Sequence, residues 1–161
     1  MSGRLHVFLP LLAILGATAL GGVFSALAHP RRIGWAGDWG QAMEHRARSA
    51  QLRVAEMADV LQAMTGKSAF LLDARREGEY RTGHLPTALS LPDERREDGL
   101  AGLQGLLAPA DVLMVYCNGR FCDEGLLLAV FLRQQGYTNL WLFTGGMEDW
   151  RKAGRRVETG P

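Results

Sequence analysis

Cysteine and histidine are scarce in this sequence. The 161 residues include 2 cysteines and 4 histidines, which is too few cysteines for a disulfide framework. No histidine stands near Cys117 or Cys122 in the chain, so the spacing of a zinc site is also missing. Internal repeats and low-complexity tracts are absent too. We therefore interpret Cys117 and Cys122 as chemically reactive groups.

An excess of charge of either sign is also missing. The formal net charge is +1, from 18 basic and 17 acidic residues. Residues 1–28 contain a single charged residue, Arg4, so the rest of the chain carries 17 residues of each sign. This balance argues against a nucleic-acid-binding surface, and we predict no nucleic-acid partner.

Charged side chains are absent altogether from residues 7–28. As a helix, these 22 residues would extend about 33 Å, against a hydrocarbon core of about 30 Å. We expect residues 1–28 to form a transmembrane anchor, which would make this a single-pass protein of the cell membrane. A cleaved signal peptide is the alternative, because Arg4 gives a basic start and Ala26-Leu27-Ala28 resembles a cleavage site. The length of the apolar stretch favours the anchor.

Small side chains recur at every fourth position of this stretch, at Ala13, Ala17, Gly21 and Ser25. Such a ridge lets two membrane helices approach closely, which suggests self-association through this face. The alternative is that small residues are simply frequent in membrane helices.

Residues 29–50 are interpreted as a juxtamembrane linker. Arg31 and Arg32 suit lipid headgroups, and Trp35 and Trp39 suit the membrane interface. Basic residues after the anchor favour a cytoplasmic domain, whereas a short N-terminus before a long domain is typical of anchored periplasmic proteins. The side of the membrane stays undetermined.

From residue 51 onward the chain alternates between strand and helix patterns. Strands are predicted over 69–74, 89–91, 112–116 and 139–143, and helices over 55–64, 77–82, 93–107, 123–135 and 147–152. This alternation is typical of an α/β domain with a parallel sheet covered by helices on both faces. We expect residues 51–161 to form that domain.

Cys117 stands between a buried strand and an amphipathic helix. In parallel sheets, ligands bind at the carboxyl ends of strands, where Cys117 falls. A helix start favours thiolate over thiol and attracts anions. Because the thiolate is the nucleophile, Cys117 is the candidate catalytic residue. The alternative is a small buried cysteine that ends a core strand.

Several separated motifs occur in an order that resembles a rhodanese domain. They are Leu72-Asp73-Ala74-Arg75, Glu79-Tyr80, Gly83-His84-Leu85-Pro86 with Ala88, Val115-Tyr116-Cys117, Gly136-Tyr137 and Gly145-Gly146-Met147 with Trp150. The resemblance covers about two-thirds of the chain and implies a five-stranded parallel sheet. It also implies a cysteine that accepts sulfane sulfur as a persulfide, without a metal or an organic cofactor.

By that resemblance, Cys117 forms the persulfide and the loop after it surrounds the outer sulfur. The substrate-binding residues would be Asn118, Gly119, Arg120, Phe121 and Cys122, with Asp73 and Arg75 supporting the site. The sulfur would come from a small donor or from a protein persulfide. Arg120 could hold a sulfonate-like oxygen, or it could be a solvated loop residue.

Cys122 gives a Cys-x4-Cys spacing within a single loop. It could resolve a Cys117 persulfide into a disulfide and make the site redox-sensitive. The alternative is a small residue that packs under the start of the helix.

The leading functional hypothesis is a membrane-anchored sulfurtransferase. A phosphatase or arsenate reductase would need a loop one residue longer that ends in an arginine, and here Asp123 stands at that point. The remaining alternative, from a different class, is a sulfur-carrier or redox-responsive binding module with little turnover of small molecules.

Overall fold

The computed structural model describes residues 39–160, together with Ala17, Thr18 and Gly22. Apart from those three positions, the predicted anchor over residues 1–28 and its ridge of small side chains lie outside the described residues. None of the helices within the described part of the chain has the length and apolarity required to cross a bilayer. From Trp39 onward, the chain forms one compact unit.

A five-stranded parallel sheet forms the middle layer of this unit. Its strands are β1 (Arg53–Ala55), β2 (Phe70–Asp73), β3 (Leu89–Ser90), β4 (Leu113–Tyr116) and β5 (Leu140–Phe143). Their order across the sheet is β1-β5-β4-β2-β3, and every neighbouring pair is parallel. The predicted five-stranded parallel sheet is confirmed, with β4 as its central strand.

Helices cover both faces of the sheet. They are α1 (Trp39–Ser49), α2 (Met57–Gly66), α3 (Glu77–Thr82), α4 (Arg96–Leu103), α5 (Glu124–Gln134) and α6 (Gly146–Lys152), with a 3-10 turn at Asp93–Arg95. Buried side chains of α1, α4 and α5 belong to the core cluster on one face. Those of α2, α3 and α6 belong to the cluster on the other face.

Strand β4 contributes to both cores because its side chains alternate between the two faces. Leu113 and Val115 pack into the α1, α4 and α5 layer. Met114 and Tyr116 pack into the α2, α3 and α6 layer. All four residues are buried, which explains why this strand reads as a continuous apolar run in the sequence.

Residues 39–49 differ from the predicted linker, because they form α1. Met43 and Ala47 lie four positions apart on one helix face and are buried in the core. Burial of that face in the core accounts for Met43 and Ala47. The compact unit therefore begins before residue 51.

Two further boundaries were wrong in the sequence analysis. The chain forms edge strand β1 at Arg53–Ala55 where a helix was predicted to start at Ala55. This strand is three residues long and shows too little alternation to be recognised. The helix predicted over 93–107 is a 3-10 turn followed by α4, which ends at Leu103. Glycines at positions 99, 102 and 105 weaken helix formation there.

Adjacent leucines of α5 allow the core packing to be tested. We expect Leu128→Ala, at a side chain with 0% exposure, to lower the free energy of unfolding by about 2–5 kcal/mol through lost contacts and a cavity. Leu127, which is 46% exposed on the same helix, provides the matched control. Leu127→Ala should change that free energy by about 0.5 kcal/mol or less. Urea unfolding of the full chain, followed by circular dichroism, measures both, and equal losses would contradict this packing.

Candidate active site

Cys117 directly follows the central strand β4, and its side chain is buried at 5% exposure. The loop over residues 117–122 then leads to α5. The backbone N–H of Met147 donates to the carbonyl oxygen of Cys117 at 2.9 Å, and that of Glu148 donates to the carbonyl oxygen of Asn118 at 2.8 Å. The first turn of α6 therefore fixes the start of the loop.

Gly146 makes this close approach of α6 possible. Its φ is +54°, in the left-handed region that disfavours side chains. A Cβ atom here would collide with the carbonyl oxygen of Cys117 and would lie 2.9 Å from the amide nitrogen of Gly119. Gly146 in the sequence thus reflects the packing of α6 on the Cys117 loop.

The two cysteines are joined as a disulfide, with their Cα atoms 6.2 Å apart. This Cα separation lies within the usual range for disulfides. Cys122 is partly exposed, whereas Cys117 is buried behind it. The loop thus satisfies the geometric requirement for pairing that the Cys-x4-Cys spacing suggested, and Cys122 lies on the solvent side of the pair.

Glu124 is a third member of this group, and it was not among the predicted site residues. Its Oε2 atom lies 2.8 Å from the sulfur of Cys122 and 3.6 Å from the sulfur of Cys117. The signal in the sequence was its position two residues after Cys122, in the first turn of α5. A carboxylate at this distance can exchange a proton with a thiol.

The same three side chains place their ligand atoms within 4.8 Å of one another. If the cysteines were reduced, this set would offer two thiolates and one carboxylate to a soft metal ion. It falls short of the four protein ligands of a structural zinc site. The sequence analysis predicted no metal.

An open cleft of about 650 Å³ borders the cysteine pair. Four of the predicted substrate-binding residues line it, namely Asn118, Gly119, Phe121 and Cys122. Arg151 and Lys152 of α6 line it as well, and the sequence analysis did not identify either of them. Lys152 forms an ion pair with Glu148 at 2.6 Å, so the cleft contains charges of both signs.

Arg120 points to a different part of the surface. Its Nη2 atom lies 2.9 Å from Asp149 Oδ2, and its Nη1 atom lies 3.5 Å from Glu44 Oε1. These carboxylates belong to α6 and α1, and they hold the guanidinium away from the cleft. The structure does not bring Arg120 to the position from which it was predicted to hold a substrate oxygen.

Asp73 and Arg75 form a buried ion pair beneath the site. Arg75 Nη2 lies 2.6 Å from Asp73 Oδ2 and also donates to the carbonyl oxygen of Gly83 at 2.8 Å. The hydroxyl of Tyr116 donates to Asp73 Oδ2 at 2.6 Å and accepts from the amide of Leu85 at 3.1 Å. The two predicted supporting residues therefore join the ends of β2 and β4 to the 83–85 loop.

Tyr116 remains a neutral hydrogen-bond donor in this network. Burial raises the pKa of its hydroxyl far above the usual value, and the negative charge of Asp73 raises it further. Since Tyr116 immediately precedes Cys117, this hydrogen bond fixes the backbone from which the cysteine extends.

Comparison with known proteins gives a family match and a set of similar folds. The rhodanese-like domain family model matches residues 56–153. A protein from Bacillus halodurans has 26% sequence identity and a TM-score of 0.60, covering 74% of this chain and 85% of its own. The human single-domain sulfurtransferase TSTD1 is 24% identical with a TM-score of 0.55, covering 62% of this chain and 95% of its own.

The curated relatives are longer proteins. An HTH-type transcriptional regulator of Mycobacterium tuberculosis is 31% identical over 103 residues, which is 64% of this chain and 43% of that protein. A tRNA uridine(34) hydroxylase of Salmonella newport is 28% identical over 101 residues, 61% of this chain and 28% of that protein. This chain thus spans less than half the length of both relatives.

Two glycines with positive φ allow the contact between α6 and the loop to be tested. Gly146→Ala and Gly154→Ala both introduce a side chain at positive φ, but only Gly146 has loop atoms within 4 Å of the added Cβ. Each should lose about 1–2 kcal/mol of stability from backbone strain. We expect Gly146→Ala to lose more and also to change the rate at which iodoacetamide alkylates reduced Cys117. Equal stabilities and equal alkylation rates in the two variants would show that α6 does not hold the loop.

Proposed function

Since the chain belongs to the rhodanese-like domain family, we propose that it is a sulfurtransferase that carries sulfane sulfur as a persulfide on Cys117. The observation that carries this proposal is the position of Cys117, at the carboxyl end of the central strand and before the start of α5. A helix start favours the thiolate form needed for attack. Asp73, Arg75 and Tyr116 support the site by holding the end of β4 in place.

The reaction has two transfers. The Cys117 thiolate attacks the outer sulfur of a donor such as thiosulfate, a sulfur–sulfur bond forms, and sulfite leaves with the electron pair of the broken bond. A thiophilic acceptor then attacks the outer sulfur of the persulfide and regenerates the thiolate. Neither transfer requires a metal or an organic cofactor.

The charged residues that line the cleft are two cations and two carboxylates, and in this proposal a small anionic donor enters on the side of the cations of α6. Arg151 and Lys152 supply positive charge for a sulfonate group, while Glu124 and Glu148 oppose it. In this proposal the substrate contacts come from Asn118, Gly119, Phe121 and Cys122. Arg120 has no direct contact with the substrate in this scheme.

A second candidate is a carrier or redox-responsive module with little turnover of small molecules. Two observations favour it: Cys117 is buried within a disulfide, and Phe121 is 77% exposed at the edge of the cleft. An exposed aromatic ring offers a contact to a protein donor. Slow turnover of thiosulfate, combined with rapid transfer from a protein persulfide, would select this candidate.

Sulfur loading tests the proposed function directly. The reduced full chain, freed of reductant and mixed with thiosulfate and excess cyanide together, should release sulfite and form thiocyanate, because cyanide takes the outer sulfur from the Cys117 persulfide. Cys117→Ser should lower the thiocyanate rate by at least about a hundredfold, because the thiolate that forms the persulfide in this proposal is removed. Leu127→Ala, at an exposed side chain of α5 outside the cleft, serves as the control and should still take up sulfur. Sulfur loading that persists in Cys117→Ser would contradict the assignment.

We further propose that residues 1–28 anchor the protein in the cell membrane, on the basis of the uncharged stretch over residues 7–28. The anchored protein should remain in the membrane fraction after carbonate extraction. Replacement of Leu15 and Leu20 by Arg should release it, since arginine within the apolar core costs about 2.5–3.5 kcal/mol per residue. Protease protection in spheroplasts would then identify the side of the membrane that holds the domain. Extraction of the unaltered chain by carbonate would contradict the anchor.

A further inference from the structure

We infer that Cys122 resolves the persulfide of Cys117, with Glu124 carrying the proton, so that the sulfur leaves as hydrosulfide and the site ends as the Cys117–Cys122 disulfide. This inference rests on the proposed persulfide chemistry and names an acceptor for it within the same loop. It adds a second activity, the dithiol-dependent reduction of sulfane sulfur to sulfide.

The first observation is that the loop already holds the cysteines at the distance required for pairing. Their Cα atoms are 6.2 Å apart, within the range that disulfides span. The loop is fixed by the backbone hydrogen bonds of Met147 to Cys117 and of Glu148 to Asn118. These backbone hydrogen bonds do not involve the sulfur atoms.

The second observation is the carboxylate beside both sulfurs. A thiol must lose its proton before it can attack a persulfide. Glu124 Oε2 lies 2.8 Å from the sulfur of Cys122, within reach for proton transfer, and 3.6 Å from the sulfur of Cys117. From this one position Glu124 reaches both the attacking thiol and the sulfur under attack.

The reaction balances without an oxidant. Glu124 takes the proton of Cys122, the Cys122 thiolate attacks the inner sulfur of the Cys117 persulfide, and the bond to the outer sulfur breaks. The outer sulfur leaves with the electron pair and takes the proton back from Glu124 as hydrosulfide. The sulfane sulfur is reduced, and the two cysteines are oxidised to the disulfide. A dithiol reductant then attacks the disulfide and restores both thiols.

The relative exposure of the two cysteines favours this internal route. Cys117 is 5% exposed, whereas Cys122 is partly exposed and lines the cleft. An external acceptor must reach a largely buried sulfur, but Cys122 is tethered next to it and reacts at a high effective concentration. The partly exposed sulfur of Cys122 is also the one that an external dithiol can attack when it reduces the disulfide.

A single-turnover experiment on the full chain tests this inference. The reduced protein, freed of reductant and held in a metal chelator, is given one equivalent of thiosulfate. Hydrosulfide and sulfite are then assayed, together with the intact mass. The unaltered chain should release about one equivalent of hydrosulfide and lose the mass of two hydrogens. Addition of a dithiol should then permit further cycles.

Three variants assign the roles. Cys122→Ser should retain one added sulfur atom, release it to cyanide as thiocyanate, and give no hydrosulfide. Glu124→Gln should gain sulfur at least as fast as the unaltered chain, but its hydrosulfide release should slow by about tenfold or more. Asp123→Asn is the matched control, because the Asp123 carboxylate is paired with Arg46. It should behave as the unaltered chain does.

The outcomes separate this inference from the proposed function. A persulfide as stable in the unaltered chain as in Cys122→Ser would overturn the resolving step and leave the sulfurtransferase intact. Sulfur that moves to Cys122 without release of hydrosulfide would also overturn it. Equal rates in Glu124→Gln and Asp123→Asn would remove the role of Glu124. Absence of added sulfur from Cys122→Ser would overturn the proposed function together with the inference.

Discussion

The buried carboxylate of Asp73 is the group on which the architecture around the cysteine pair depends. It accepts hydrogen bonds from the guanidinium and the amide of Arg75 and from the hydroxyl of Tyr116. A carboxylate with 0% exposure is tolerated only when its charge is paired and its oxygens are satisfied. These partners come from two neighbouring strand ends, so satisfying this one charge also fixes where each strand stops. Cys117 is the first residue after the end of β4.

Much of the fold could be predicted because its central strands are buried on both faces. Strands β2, β4 and β5 read as short apolar runs, and α5 follows its apolar spacing up to the left-handed Gly136. Strand β1 was missed because an edge strand of three residues leaves no periodic signal. Helix α1 was not predicted, because its apolar face, with Met43 and Ala47, can be recognised only when the sheet against which it packs is known.

The loop over residues 117–122 was predicted at its observed place between β4 and α5, because an apolar run followed by a loop and an amphipathic segment is a recognisable local pattern. The charged side chains around it were harder to predict. Arg120 is close in sequence but pairs with Glu44 and Asp149, which lie far from it along the chain. Arg151 and Lys152 reach the cleft only because α6 packs on the loop. The spacing of residues within one segment predicts which side chains of that segment lie together. These contacts instead depend on how separate segments pack against one another.

Helix α1 has a practical consequence for how this protein is divided. The family match begins at residue 56, after both α1 and β1. A fragment trimmed to that match would lack α1, and the apolar side of the sheet that Met43 and Ala47 cover would be exposed. It would also lack β1, and β5 would become an unpaired edge strand that can pair with other chains. It would also remove Glu44 and Arg46, the partners of Arg120 and Asp123. A fragment that starts near Trp39 would keep α1, β1 and both of these ion pairs, so aggregation of a shorter fragment would reflect the loss of these contacts.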